Sequence, residues 1–191
     1  MAYQIAAAAK GIDPRARPTL WDSGRVDSVE NAHVRWGGAD LPPFSALTWT
    51  VRVWDENGDL SPWAEPSELT AGPFCSDDWT GQWIGIPPTH AARLTFTVPE
   101  VPVRAYLHFA GHGLLRVVLN GFTVNPDSQE PSSTTLSRSV SRSYDVTDQL
   151  GVGDQVLALV AGIGHYAQAL TDARAIAQLV LENADGQLTV V

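Results

Sequence analysis

Hydrophobic and polar residues alternate along this chain in short runs. In Leu47-Thr48-Trp49-Thr50-Val51-Arg52-Val53 the alternation is strict. A strand here places Leu47, Trp49, Val51 and Val53 on one face, expected to be core, and Thr48, Thr50 and Arg52 on the other, expected to be wet. Further on, Ala105, Leu107 and Phe109 alternate with Tyr106 and His108, and Leu115, Val117 and Leu119 with Arg116 and Val118. The apolar runs DQVLALVAG and RAIAQLVLEN follow. Residues 167–183 are rich in Ala and Leu and have helical propensity. Within them, however, Ile176, Gln178, Val180 and Glu182 alternate with Ala177, Leu179 and Leu181. The Asp185-Gly186 pair that follows is a hairpin signal and favours a strand.

Thirteen prolines and sixteen glycines punctuate these runs. Turn signals at intervals of about eight to twelve residues mark all-β sandwiches. Between the two blocks lies AGPFCSDDWTGQ, rich in turn formers, which reads as a linker. The expected organisation is a β-domain over residues 1–74, a linker over 75–82 and a second β-domain over 83–191. The opening YQIAAA reads as a strand entered midway, as though an earlier strand or a leader had been cut away.

Composition narrows the function classes. With 44% hydrophobic and 17% charged residues in 191, the chain can bury a core. The net charge of -9, with Lys10 as the one lysine, disfavours nucleic acid and anionic membranes as partners. Cys75 is the single cysteine, which excludes an intrachain disulfide and Cys-based metal sites. No stretch approaches the roughly 20 apolar residues of a membrane span. No basic region precedes the apolar start as in a signal peptide, which points to a cytoplasmic chain as it stands.

WDENGDLS places Asp55, Asn57, Asp59 and Ser61 at alternate positions, like a calcium loop, but the sixth and twelfth places hold Leu60 and Pro66 instead of glycine and a bidentate acid. The motif reads instead as a turn, with Asn57-Gly58 supplying positive φ angles and Asp55 bonding local backbone N–H groups. The five histidines form no arrangement that activates a nucleophile. Gly111-His112-Gly113 reads as a turn with a solvated histidine. Gly162-Ile163-Gly164 lacks the dinucleotide pattern. Asp77-Asp78 reads as solvated linker, not as a glycosidase pair. The seven tryptophans could supply sugar-stacking platforms, but Trp21, Trp36 and Trp49 sit in strand-like contexts that favour core packing, and the contexts of Trp79 and Trp83 assign them to neither role.

Taken in order, YQIAAA, LWDSGRV and WGGADLPPFSALTWTVRVWDENGDLSPWAEPSELTAG resemble the fibronectin type III-like N-terminal module of bacterial α-L-rhamnosidases, glycoside hydrolase family 78. Leu47 stands where that pattern has tyrosine, and Trp63-Ala64 where it has Trp-Ser. WTGQWIG, RLTFTV, AYLHFAGHG, LNG, YDVT, GIGHY and AIAQL are similar to the β-sandwich that follows in the same family. The resemblance implies an all-β chain of two tandem sandwiches, fibronectin type III-like and then jelly-roll-like (galactose-binding-like). It implies that the catalytic residues lie elsewhere, in an (α/α)6 barrel that hydrolyses terminal α-L-rhamnose with inversion. This barrel is absent here and is the expected partner. Apolar surface left bare without it would favour self-association.

Relatives of the second sandwich, the family 67 carbohydrate-binding modules, bind L-rhamnose with calcium. The resemblance therefore implies sugar contacts at Asn120, His165 and Tyr166, and calcium, the one cofactor implied, at Asn120 and Asp127. Against this, NGFTVNPDSQEPSST lacks the paired acids and the tryptophan of that pattern, and Gly164-His165-Tyr166 replaces Gly-Trp-Tyr. A plain β-turn at Asn120-Gly121 is the competing assignment. The expected function is a non-catalytic accessory region that scaffolds an α-L-rhamnosidase-like enzyme. The alternative is a stand-alone module for rhamnose or a rhamnosylated glycan.

Overall fold

Nearly every alternating run becomes a strand. The computed structural model describes residues 1–30, 32–88, 90–126 and 135–191. It is all-β, in tandem β-domains that form two units, Met1–Ala71 and Gly72–Val191.

The first unit holds β1 (Ala2–Ala9), β2 (Trp21–Asp22), β3 (Val26–Asp27), β4 (Ala46–Trp54) and β5 (Ser67–Thr70), with β4 paired to β1 and β5, and β2 and β3 to the other edge of β1. Partners directly opposite share a face. Tyr3 pairs with Val53, Ile5 with Val51, Ala7 with Trp49 and Trp21, and Leu47 with Leu69. One face of this sheet is therefore almost wholly apolar. The described residues of 28–45 form no strand, and no second sheet among the described residues covers that face. It lines an open groove of about 1090 Å³ with Val53 and Leu69 nearly half exposed.

This corrects the expectation of a dry core at Leu47, Trp49, Val51 and Val53: only Leu47 is fully buried. Trp21 and Trp36 meet at 5.1 Å beside the groove, and Trp36 stays partly exposed instead of entering a core. The face expected to be wet is the better covered. Thr50 is buried because its hydroxyl donates to the Ala64 carbonyl at 2.7 Å. Arg52 donates to Gln4 Oε1 and lies 4.5 Å over the Trp63 ring. Beyond β4, Asp55 Oδ1 accepts from the Asn57 and Asp59 amides at 2.8 Å. Gly58, but not Asn57, takes the positive φ, 87°.

The second unit contains β6 (Ile84–Ile86), β7 (Ala91–Val98), β8 (Arg104–His112), β9 (Leu114–Leu119), β10 (Phe122–Thr123), β11 (Arg142–Asp145), β12 (Gly153–Gly162), β13 (Ala173–Glu182) and β14 (Leu188–Val190). One sheet runs β10-β9-β12-β7, the other β11-β8-β13-β14 with β6 on β13. Leu115, Val117 and Leu119 face Leu107, Phe109, Leu179 and Leu181 across a sandwich core. Each such side chain, once buried, contributes roughly 1.5–3 kcal/mol. The segment 173–182 is a strand, as the Asp185-Gly186 turn requires; Gly186 has φ 80°.

Candidate functional site

Strand β8 is buried on both faces. Its inward residues enter the sandwich core. On the outer face lie His108 and, on β13, Gln178, both fully buried. The cover includes the segment read as a linker. Gln178 Oε1 accepts from the Thr80 amide at 2.7 Å, and Gln178 Nε2 donates to the Asp78 carbonyl at 3.2 Å. Residues 78–80 are thus tied to the sheet. Asp78 closes its own turn, accepting the Phe74 and Cys75 amides at 2.7 and 3.0 Å.

Beside this cover lies a cleft of about 560 Å³, with Phe74, Trp79 and Trp83 on one side, Ser139 and Ser141 on another, and Ala110 and Ile176 from the sheet. Trp83 stacks on His112 at 5.1 Å and 23°. The His112 ring meets the edge of Tyr166 at 5.6 Å, and Tyr166 lies 4.0 Å from His165. His112 Nε2 donates to the Thr135 carbonyl at 3.2 Å and lies 3.3 Å from Ser139 Oγ. A solvated His112 was expected, but it is buried, because Trp83 and Tyr166 close over it. Gly113, φ 134°, makes the turn that follows; a Cβ there would sit 2.6 Å from the Gly162 carbonyl oxygen.

The residues expected to share one sugar site are separated. Leu114 pairs with Gly162, just before His165 and Tyr166, whereas Leu119 pairs with Leu157 at the far end of β9, where Asn120 follows. Asn120, φ 51°, donates from Nδ2 to the Gln149 carbonyl and Gln155 Oε1 and accepts the Val156 amide on Oδ1 at 2.9 Å. Its carboxamide is fully occupied in clasping the turn. Asp127 lies outside the described residues. Among the described residues no three of His, Cys, Asp and Glu come together to hold a metal. A calcium ion needs six or more oxygens, and the described residues around Asn120 do not fit one.

Residues 1–75 match the N-terminal immunoglobulin domain of Rha78A-like proteins, and residues 100–191 match the α-L-rhamnosidase N-terminal domain. The chain belongs to the N-terminal region of the α-L-rhamnosidase family. An α-L-rhamnosidase of Alteromonas sp. (strain LOR) is 27% identical over 188 residues, 90% of this chain and 20% of its own length. One from Streptomyces avermitilis is 38% identical over 88 residues, 45% of this chain and 8% of that protein. The chain spans about a fifth of the length of the Alteromonas protein and of a Formosa agariphila α-L-rhamnosidase that is 24% identical. In fold, the α-L-rhamnosidase structures from Dictyoglumus thermophilum and Aspergillus terreus match with TM-scores of 0.85 and 0.80 at 21% and 23% identity. They cover all of this chain and 24% of each of theirs.

For an α-L-rhamnosidase N-terminal region, the carboxylates are informative. Glycoside hydrolysis needs a carboxyl group kept protonated near neutrality. Asp78 goes the other way: the Cys75 and Phe74 amides hold its carboxyl below the usual range. The same is true of Asp55, held down first by the Asp59 amide and also by those of Asn57 and Gly58. Both acids belong to turns. The aromatic group at Trp83, His112 and Tyr166 is scattered over positions 83, 112 and 166, and no local motif announces it.

Proposed function

We propose that this chain is a non-catalytic accessory region of an α-L-rhamnosidase-like glycoside hydrolase, whose parent activity is hydrolysis of terminal α-L-rhamnose, and that its main work is scaffolding. The observation that carries this is coverage: two N-terminal domain models tile most of the chain, while the relatives are about five times as long. In this reading the catalytic barrel occupies the remaining length and packs on the accessory domains. The turn-bound Asp55 and Asp78 agree with it, since neither carboxyl is tuned for acid catalysis.

The test is an assay of the purified 191-residue chain with an aryl α-L-rhamnoside. No release of the aryl group above the blank is expected. Release that rises with protein concentration and survives repeated purification would overturn the proposal. A second reading, a module that holds a rhamnosylated glycan without cleaving it, is favoured by one observation, the aromatic cleft beside Trp83.

A further inference from the structure

We infer that the cleft beside Trp83 binds a 6-deoxyhexopyranosyl residue, with no metal ion taking part. The choice of sugar rests on the glycoside hydrolase reading above. The site itself rests on geometry.

Trp83 is 43% exposed, yet one side of its indole is taken up by the His112 ring. His112 is held in turn by the Thr135 carbonyl, Ser139 and the edge of Tyr166. The indole is thus a fixed plate with one side still available. An aromatic plate already ordered loses little freedom when the C–H face of a sugar ring packs on it.

The lining names the class of ligand. None of the described lining residues is charged, so neither a phosphate nor a carboxylate would find a counter-charge. Hydroxyls and an amide are present in Ser139, Ser141 and Gln82, and apolar surface in Phe74, Ala110 and Ile176. A neutral polyhydroxy ring with an apolar face suits both sets. A methyl group at C5 in place of hydroxymethyl adds apolar surface that Phe74, itself 63% exposed, can meet. The volume, about 560 Å³, lies within the ~300–1,000 Å³ of ordinary small-molecule sites. Because serine and glutamine can supply the hydrogen bonds, no cation is required.

The experiment is a titration of the chain, with EDTA present, by methyl α-L-rhamnopyranoside, following the Trp83 indole N–H resonance by NMR. A saturable millimolar shift is expected. The L-mannoside, which differs by one hydroxyl on C6, should bind at least about threefold more weakly, because the extra hydroxyl meets apolar surface. Trp83→Ala, whose binding is followed through saturation transfer to the sugar methyl group because the indole is gone, should weaken binding about tenfold. Since that change also uncovers His112, the double variant Gln82→Ala/Ser141→Ala provides an independent check. It leaves the stack in place, and it should weaken binding at least about threefold with the circular dichroism spectrum unchanged.

A Trp83 resonance that stays still at the solubility limit of the sugar overturns the inference. So does an affinity that neither variant changes, or binding seen only when calcium replaces EDTA. A silent Trp83 in a chain without hydrolase activity sinks this inference and leaves scaffolding standing. Hydrolysis of the aryl rhamnoside sinks scaffolding while the Trp83 titration can still be read.

Discussion

Asn120 shows how a residue can carry a binding-site pattern and do structural work. Its side-chain oxygen and nitrogen reach out from the turn that joins β9 to β10 and are bonded to Gln149, Gln155 and Val156. Asn120→Ala would leave the Val156 amide and Gln155 without that partner, at a cost of about 2–3 kcal/mol. A lower urea midpoint is expected, with the sugar titration at Trp83 unchanged. His108 makes a second residue-level prediction. Burial lowers its pKa from 6.5 to about 4, while Ser143 Oγ lies 2.7 Å from Nδ1. In the unfolded chain the imidazole takes up a proton near pH 6.5, whereas the folded chain stays neutral down to about 4. Stability is therefore full above pH 6.5 and falls as the pH drops towards 4, by about 3 kcal/mol. His108→Gln should flatten that stretch of a urea-midpoint against pH curve; an unchanged slope would show that other groups set it.

At the scale of elements, alternation made β4, β8, β9 and β13 legible, and the Asp185-Gly186 turn decided strand over helix for β13. What alternation could not reveal is which face gets covered. Thr50 is buried and Val53 exposed because cover depends on segments that pack from a distance. The same holds for residues 75–82. Their turn-forming composition reads as a linker, but the bonds that fix them reach Gln178, about a hundred positions away. Likewise Trp83, His112 and Tyr166 meet only through the sandwich, so the site was legible as a supply of aromatic residues and not as a place. Gln178 is the hinge of this arrangement. Gln178→Ala removes the acceptor of the Thr80 amide, and exchange of that amide with deuterium should speed up at least about tenfold. If it does not, the 78–80 segment is held by something other than Gln178.

At the scale of the molecule, the uncovered face of the first unit has the largest physical consequence. Tyr3, Ile5, Trp49, Val51, Val53 and Leu69 form one contiguous apolar surface in an open groove. Surfaces of this kind mark association. The immunoglobulin domain model matched by residues 1–75 implies a sandwich, in which a second sheet packs about 10 Å above the first. We expect the isolated chain to meet that need with a second copy, face to face about a twofold axis, because an isologous contact lets each apolar face cover the other. The charge of -9 on each copy opposes this contact at low ionic strength. Salt screens the repulsion without weakening apolar burial, so dimer should increase as salt is raised. Sedimentation velocity over a concentration series, at low and high salt, measures both effects. Val53→Glu with Leu69→Lys places charges on the face from two neighbouring strands and should hold the chain monomeric at every salt concentration. Wild-type chain that stays monomeric throughout would show that residues 28–41 shield the face well enough by themselves.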